Sequence, residues 1–458
     1  MASLITNYIH HIKHGQTHAD PLDKFLNHAE RVWANSDVLI VPSDKGNKTV
    51  LIQADEYRRK MQDMVGDQTT YRLVQRDPTS RNQTLNNNLV KRLLDLKLID
   101  IRTARTLKTY KAVCPRIYGQ PKAHKEGLPL RPVVPNMTAP SYNLSKYVGQ
   151  IIQKSINSPY NIKDSFSFCH FINEVELPPD YVLISLDVKS LFTSIPIPLI
   201  QHDIIMRWNE IMPHTNINLD LFLELVNFCV GSSYFVYDRK YYEQVFGTAM
   251  GNPLSPIVAD LIMESLLDTT MHKLDFKPPF IRKYVDDLIT AIPLEKLQHI
   301  LDVFNSYDVH IQFTHELEVN NKLPFLDMFL VRQDNQRIKT EWYMKPIASG
   351  RFLDFLSYHP MSMKLNVAKN FISRVYRLPT NQSDEEKANI IDNQLRLNHY
   401  PAHLRHRLIN RMTEHHQSPS ITSADEDQQQ QTPPVRTWNI LTGQWSTYLI
   451  SRAESKGS

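Results

Sequence analysis

The chain has 458 residues, 41% of them hydrophobic and 22% charged, with a formal net charge of +4. This length exceeds that of one compact domain and indicates two to four, each able to bury a core. No apolar run is long enough to span a bilayer and no signal-peptide pattern opens the sequence, so we expect neither a membrane nor a secreted protein. The three cysteines are far apart and form neither a metal-binding pair nor a disulfide framework, which favours a reducing compartment inside the cell.

The positive charge is concentrated in two blocks. Residues 91–131 hold eleven Lys and Arg against three Asp and Glu, and residues 337–377 hold eight against two. Two basic blocks on either side of an acidic middle are typical of a protein that holds a nucleic-acid backbone near a metal site. Solvated helical faces carry similar blocks, so charge alone leaves both interpretations open.

Hydrophobic periodicity and turn signals predict helices and strands in irregular alternation, which indicates an α+β fold with a palm-like sheet. Residues 1–30 predict a helix carrying His10, His14 and His18, but no nearby carboxylate or cysteine set supports a metal site there. Residues 37–52 predict two strands around an Asp-Lys-Gly turn. Hairpins are predicted at 234–246, 280–292 and 324–344, and helices at 55–65, 81–98, 141–156, 199–211, 219–230, 294–306 and throughout 350–415. From Gln417 onward the composition predicts a disordered tail.

Three aspartates lie at the ends of predicted strands. Residues 181–186 form a nearly continuous apolar run, which predicts a strand buried on both faces that ends in Asp187. A carboxylate in such a place is costly to ionise unless it is paired or bound to a metal, although a plain turn residue is equally common there. Asp286 and Asp287 are adjacent between two apolar runs, and neighbours on a regular strand point to opposite faces. A tight turn between them would therefore be needed to bring both to one site. A turn with two aspartates is, by itself, most often a solvated surface turn.

Together the three aspartates predict a carboxylate cluster of the kind that binds Mg²⁺, with Mn²⁺ as an alternative. Two such ions activate an attacking hydroxyl and stabilise the leaving pyrophosphate in phosphoryl transfer. The prediction depends on Asp187 and the hairpin belonging to one sheet.

From Asp37 to Pro401 the order of motifs resembles that of a reverse transcriptase. Tyr284-Val-Asp-Asp287 resembles the catalytic box of that family, and Asp187 falls where its first metal-binding aspartate would be. The resemblance implies a right hand, with fingers and palm built from antiparallel sheet and helices and an α-helical thumb. It also implies two-metal catalysis by Asp187, Asp286 and Asp287.

The same resemblance assigns the nucleotide contacts. Lys122 and Arg131 fall in the fingers segment whose cations hold the triphosphate, with Lys125 as a further candidate. Phe192 matches the bulky side chain that crowds the sugar 2′-position. Met250 and Gly251, at the start of Gly251-Asn-Pro-Leu-Ser-Pro256, match the loop that supports the incoming nucleotide.

Several motifs resemble those of Penelope-like retroelements in particular: Ser43-Asp-Lys-Gly46, Tyr118-Gly-Gln-Pro-Lys-Ala-His-Lys125, Asp187-Val-Lys-Ser-Leu-Phe-Thr-Ser-Ile-Pro196, Ala249-Met-Gly251 and Ser357-Tyr-His-Pro360. Asn398-His-Tyr-Pro401 departs slightly, because the family commonly has Gly in place of His399. No GIY-YIG endonuclease motif or its cysteine cluster follows the thumb in this sequence. The resemblance therefore predicts either a type that lacks the endonuclease or a truncated copy.

The resemblance also implies the domains and partners. We expect an N-terminal extension with the Asp-Lys-Gly segment (1–80), fingers (81–180), a palm with a primer-grip-like hairpin at Leu323-Pro-Phe-Leu-Asp327 (181–345), a helical thumb (346–415) and an irregular tail (416–458). The expected partners are an RNA template, a DNA primer and dNTPs, in the nucleus or the cytoplasm, with no membrane and no inferable stable protein partner. Candidates for weak contacts with primer–template phosphates are Lys125, Arg351, Lys364, Lys369 and Arg374.

Two other functions stay open. A catalytically inactive or captured relative would act as an RNA- or DNA-binding protein, although all three aspartates remain in this sequence. An RNA-templated RNA polymerase shares the palm chemistry, and Phe192 and Val285 argue against it.

Overall fold

The computed structural model describes Arg31, residues 36–417 and two short antiparallel strands, Arg436–Asn439 and Gln444–Thr447. The predicted N-terminal helix with its three histidines, and most of the predicted tail, lie outside the described residues. The chain divides into two compact units: a first unit of residues 1–64 and 120–131, and a second unit of residues 65–119 and 132–458. The finer five-part division implied by the resemblance stays a prediction. Among the described residues, no helix combines the length and the apolar character needed to cross a membrane.

The first unit contains the predicted Asp-Lys-Gly hairpin. Strands β1 (Val38–Pro42) and β2 (Thr49–Gln53) pair antiparallel, which confirms the strand–turn–strand prediction. Helix α1 (Ala54–Val65) begins directly after β2. The backbone amide of Asp44 donates to the Pro121 carbonyl at 2.9 Å, so the β1–β2 loop is fastened to the second chain segment of the same unit.

The second unit is built around a four-stranded antiparallel sheet. Its strands are β6 (Tyr181–Val188), β9 (Ile281–Tyr284), β10 (Asp287–Pro293) and β11 (Phe313–Leu317), in the spatial order β11-β6-β10-β9. Strand β6 therefore continues past Asp187 to Val188, and the predicted end of this strand was one residue short. The β9–β10 hairpin predicted at 280–292 is confirmed.

Each face of this sheet packs on a different core. Because side chains alternate along a strand, Ile184 and Leu186 of β6 point into one cluster together with Leu288 of β10. Leu183 and Ile289 point into a second cluster on the other face. Helices cover the first face, as the sequence predicted for one face: α4 (Tyr142–Ser155), α7 (Ile197–Met206), α9 (Leu219–Gly231), α10 (Ser255–Met271) and α11 (Leu297–Asn305).

The second face is covered by α5 (Ser165–Asn173) and by a small sheet, β12-β13-β14 (Lys322–Phe325, Met328–Arg332 and Ile338–Trp342). Helix α5 was not predicted from the sequence. A capping box at its N-terminus, in which Asp164 and Ser167 bond each other's backbone amides, was the available signal.

The remaining elements largely follow the sequence. A three-stranded sheet, β3-β8-β7 (Tyr71–Val74, Lys240–Gln244 and Tyr234–Tyr237), contains the predicted hairpin with its turn at Asp238 and Arg239. Both turn residues have positive φ, 46° and 61°, as in the turns that suit a two-residue hairpin. The other elements are helices α2 (Thr79–Asp95), α3 (Ile101–Leu107), α6 (Leu191–Ser194) and α8 (Trp208–Ile211), and the paired strands β4 (Tyr118–Pro121) and β5 (Leu130–Val133).

Three helices follow the sheets: α12 (Met361–Arg377), α13 (Asp384–Leu397) and α14 (Ala402–Gln417). The Asn398-His-Tyr-Pro401 motif joins the last two. The buried Asn398 amide donates to the carbonyls of Gly350 and Gln394, at 2.9 Å each. His399 has φ 60°, a left-handed conformation that glycine adopts without steric cost, which explains why a glycine suits this position.

Candidate active site

The β9–β10 hairpin turns within two residues, Val285 and Asp286. A tight turn is thus present, but Asp287 is already the first residue of β10 and the turn does not lie between the two aspartates. Val285 has φ 62°. A β-branched residue in this region is a steric outlier whose strain is on the order of 1–3 kcal/mol. Such strain persists only where the surrounding structure holds it, and the tip of this hairpin lies between two strands of a well-packed sheet.

Asp187 and Asp287 are direct cross-strand partners in the β6–β10 pair. Opposed side chains in an antiparallel pair have Cβ atoms roughly 5 Å apart. Alternation also places both on one face of the sheet. Asp187 is an even number of residues from Leu183, and Asp287 an even number from Ile289. Leu183 and Ile289 both lie in the second core. The sheet therefore brings together two carboxylates that are 100 residues apart in sequence.

The environment of Asp187 corrects the sequence analysis. The strand around it is buried, with Leu186 and Val188 almost inaccessible, but Asp187 itself is exposed at the open end of the sheet. Its side chain is therefore not held in an apolar interior, contrary to the expectation from the apolar run. The Asp187 carbonyl accepts a hydrogen bond from the Thr314 hydroxyl at 3.1 Å, which ties this strand end to β11.

The third aspartate is placed differently. Asp286 lies in the turn, outside the strand pairing that fixes the other two, so alternation does not direct its side chain to their face. Among the residues that the structure describes, no set of three or more His, Cys, Asp or Glu is arranged to hold a metal ion. The structure thus places Asp187 and Asp287 opposite each other, and the part of Asp286 in a three-carboxylate cluster stays a prediction.

Two adjacent carboxylates at an exposed sheet end still fit a magnesium ion. Mg²⁺ is usually bound through one or two carboxylates, with substrate phosphates and water as its other ligands. A pair of like charges directly opposite each other also destabilises the sheet, and a bound cation would relieve that repulsion. The donor set of Asp187 and Asp287 is therefore suited to the predicted ion.

A buried lysine lies next to the hairpin tip, on the opposite face of the sheet. Lys283 is 0% exposed, and its ammonium is paired with Asp260 and, at 2.8 Å, with Glu264, both on α10. Its backbone amide donates to the Tyr160 carbonyl at 2.8 Å. This group was not predicted, because a lysine beside a strand end is normally exposed.

The loop before α10 contains the predicted Met250 and Gly251. Gly251 has φ 122°, and a Cβ atom there would overlap the Val134 carbonyl oxygen, so only glycine fits. The Met250 carbonyl accepts a hydrogen bond from the Val134 amide at 2.9 Å. In addition, the Ser255 hydroxyl donates to the Ala249 carbonyl at 2.8 Å. This loop is therefore held closely against the segment that follows β5.

Phe192 lies five residues beyond Asp187, in α6, with a half-buried ring that packs against the first core. Its carbonyl accepts hydrogen bonds from the amide and the hydroxyl of Thr248, at 2.7 and 2.8 Å. A Cβ atom on Gly247 would overlap the Thr193 carbonyl. The segment that carries Phe192 is thus fastened to the loop that carries Met250 and Gly251.

The predicted triphosphate contacts belong to the first unit. Arg131 forms an ion pair with Asp44, whose side chain is only 1% exposed, at 2.9 Å. The pKa of Lys122 is lowered, first by burial and then by the positive charges of Lys125 and Arg131. The buried Asp44 is a further residue that the sequence analysis did not single out.

The predicted phosphate contacts of the helical segment differ in their accessibility. Lys364 is a correction: it is buried, and its ammonium donates to the Phe355 carbonyl at 2.6 Å, so it serves the interior of this segment instead of a nucleic-acid backbone. Arg374 is paired with Asp327 at the β12–β13 turn, and the Arg351 guanidinium donates to the Leu397 carbonyl. Lys369 is exposed on α12, where a phosphate could reach it.

Comparisons with known proteins give distant similarities. A family model described as "Animal helix-turn-helix domain" matches residues 351–410, the region of α12, α13 and most of α14. No curated protein sequence matches the chain.

Among solved structures, telomerase from Candida albicans in complex with a fragment of telomeric RNA has a TM-score of 0.49 at 10% identity, over 78% of this chain and 63% of that one. Apo telomerase from Candida tropicalis gives 0.48 at 9% identity, over 90% and 75% of the two chains. The RNA-dependent RNA polymerase of a human picobirnavirus gives 0.45 at 10% identity, over 81% and 80%. The chain thus spans less than two thirds of the length of the Candida albicans telomerase that it matches. At this level of similarity, the function has to be argued from the residues of the site.

Proposed function

We propose that this protein is an RNA-directed DNA polymerase of the Penelope-like type, which transfers nucleotidyl groups from dNTPs to the 3′-hydroxyl of a primer paired with an RNA template. The observation that carries the proposal is the pairing of Asp187 with Asp287 at the exposed end of the sheet, beside the strained Val285 turn. Strain and opposed like charges are both unfavourable for the folded state, and they are retained together where a site requires them.

In this proposal Asp187 and Asp287 hold magnesium, and Asp286 completes the carboxylate set from the turn. The bound ion would lower the pKa of the primer hydroxyl and neutralise charge on the phosphates. The hydroxyl would lose its proton to solvent, and the 3′-oxygen would form a bond to the α-phosphorus as the bond to the leaving pyrophosphate breaks. Lys122 and Arg131 are the proposed contacts of the triphosphate, and Phe192, held in place by Thr248, is the proposed filter against a sugar 2′-hydroxyl.

Primer extension by the purified protein tests this proposal. We expect extension of a DNA primer on an RNA template with dNTPs and Mg²⁺, and a loss of at least about 100-fold for Asp187→Asn or Asp287→Asn, as for removal of a principal electrostatic group in an active site. Asp180→Asn, an exposed acid in the turn before β6, is the matched control and should retain activity. Undiminished extension by both site variants would overturn the metal assignment, and preference for rNTPs would indicate an RNA polymerase.

A second candidate function is non-catalytic binding of RNA or DNA. It is favoured by the lack of a three-ligand metal set among the described residues. Retained binding of a primer–template duplex, without extension under any combination of template and nucleotide, would support this candidate against the polymerase.

A further inference from the structure

The first unit contains a concentration of positive charge around one buried acid. We define the cation cluster as Lys45, Lys122, Lys125 and Arg131, which come from the β1–β2 loop, from the end of β4 and its following turn, and from β5. Lys45 lies within electrostatic range of Lys122 and His124, as do Asp44 and Lys125. All of these residues belong to the same compact unit.

Such an arrangement is unfavourable in the unliganded protein. Burial, and after it the neighbouring cations, lower the pKa of Lys122, so its charged form is destabilised, and Asp44 opposes this effect only in part. The positive groups exceed the single acid, and their mutual repulsion would be relieved by a polyvalent anion. A compact group of cations suits a short polyphosphate chain, whereas a nucleic-acid backbone is usually followed by cations spread along a groove.

Asp44 is an independent sign of a built site. Its side chain is 1% exposed, yet among the described residues neither of its carboxylate oxygens accepts a hydrogen bond. Its compensation is the ion pair with Arg131, whose Nε is also buried without a hydrogen-bond partner in the described part of the chain. Burying a carboxylate with so little hydrogen bonding is costly, and its ion pair fixes the position of the Arg131 guanidinium.

The local backbone explains how Asp44 is held. The Ser43 hydroxyl donates to the Lys45 carbonyl at 2.7 Å and accepts from the Lys48 amide at 3.1 Å, and the chain turns at Gly46 with φ 83°. The Asp44 amide is fixed to the Pro121 carbonyl, one residue before Lys122. The loop is therefore folded so that Asp44 points to the interior while Lys45 stays exposed.

We propose that the β1–β2 loop is part of a polyphosphate-binding site, in which Lys45 contacts the anion and Asp44 is a positioning residue that orients Arg131. The polyphosphate would be that of the incoming nucleotide, so the proposal rests on the polymerase function for its substrate. It adds two residues to the contacts expected from Lys122 and Arg131.

Isothermal titration of the full chain with inorganic tripolyphosphate, without metal or nucleic acid, tests the site apart from catalysis. We expect Lys45→Gln to raise the Kd by about fivefold, near the upper limit for an exposed ion pair, and Lys48→Gln, an exposed lysine of the same loop, to leave it unchanged. Asp44→Asn is decisive because an effect of net charge and an effect of Arg131 orientation would change the Kd in opposite directions. Net charge alone predicts tighter binding after removal of an acid, whereas loss of orientation of Arg131 predicts weaker binding, again by about fivefold.

Tighter binding by Asp44→Asn, or equal effects of Lys45→Gln and Lys48→Gln, would overturn the proposal. So would the absence of tripolyphosphate binding by the unaltered protein, or displacement of tripolyphosphate by an equal phosphate concentration of single-stranded RNA. If extension is detected, Asp44→Asn should raise the KM for dNTP with little change in kcat, and Asp44→Glu should restore part of the affinity. If the unaltered chain binds tripolyphosphate with the expected variant pattern but extends no primer, the polymerase function fails and the polyphosphate site stands.

Discussion

Replacing Lys283 by methionine tests how the β9–β10 hairpin is stabilised on the face of the sheet opposite Asp187 and Asp287. The ammonium is fully buried between Asp260 and Glu264, and the Glu264 side chain is itself only 2% exposed. Removing the lysine leaves the Glu264 charge buried without its partner, which costs about 3–5 kcal/mol for an ion pair of this kind. Asp260 is more accessible, with 28% of its side chain exposed, so it can be hydrated and contributes less to the loss.

The measurement is the free energy of unfolding from urea titrations, followed by circular dichroism and by hydrogen exchange of the β9 and β10 amides. The matched control is Lys296→Met, which removes the ion pair between Lys296 and Asp275, whose side chains are 33% and 53% exposed, respectively. This variant should lower the free energy of unfolding by less than about 1 kcal/mol. The double variant Lys283→Met with Glu264→Leu should recover most of the loss, because it removes the uncompensated charge as well.

Two results would refute this reasoning. One is a cost for Lys283→Met no larger than that of the control. The other is a double variant as unstable as the single one, which would show that the loss comes from packing and not from the unpaired carboxylate.

Two further predictions concern Gly251 and Asp203. Gly251→Ala should destabilise the protein by more than about 1–3 kcal/mol and reduce extension, because the φ of this residue is strained for alanine and the added Cβ overlaps Val134. The control is Gly127→Ala, whose Cβ meets no atom within 4 Å and which should cost only the backbone strain. Equal unfolding midpoints for the two variants would contradict this prediction. Burial raises the pKa of Asp203, so the folded state binds more protons than the unfolded one, and stability should fall as pH rises above about 4 and through the raised pKa. Asp203→Asn should flatten this part of the pH profile of the urea midpoint, and an unchanged slope would exclude Asp203 as its source.

The sequence predicted the elements whose signals are local. The paired strands around Asp-Lys-Gly, the hairpin at 234–246 and the β9–β10 hairpin all follow from nearby residues, and the structure confirms them, with the turn of the last at Val285 and Asp286. The conformation of Val285 was not predictable, since valine is among the residues least suited to positive φ. That turn is imposed by the pairing of β9 with β10 against the preference of its own residue.

The remaining differences arise from contacts between distant segments. The exposure of Asp187 depends on which strand end the helices leave uncovered, and the burial of Lys283 and Lys364 depends on partners elsewhere in the chain. Charged residues are assigned to the surface in the absence of such information, which is usually right. The assumption that charged residues lie on the surface also gave no reason to predict the ion pair between Asp44 and Arg131, which are 87 residues apart in sequence.

The spatial order of the central sheet has a consequence for the order of folding. Strand β10 lies between β6 and β9, so the pair formed by Asp187 and Asp287 cannot exist until β10 has been synthesised and inserted beside a strand made 100 residues earlier. Closing so long a loop is slow compared with forming the local β9–β10 hairpin. During synthesis the hairpin with its strained tip would therefore form first, and the candidate site would appear only when it docks on β6.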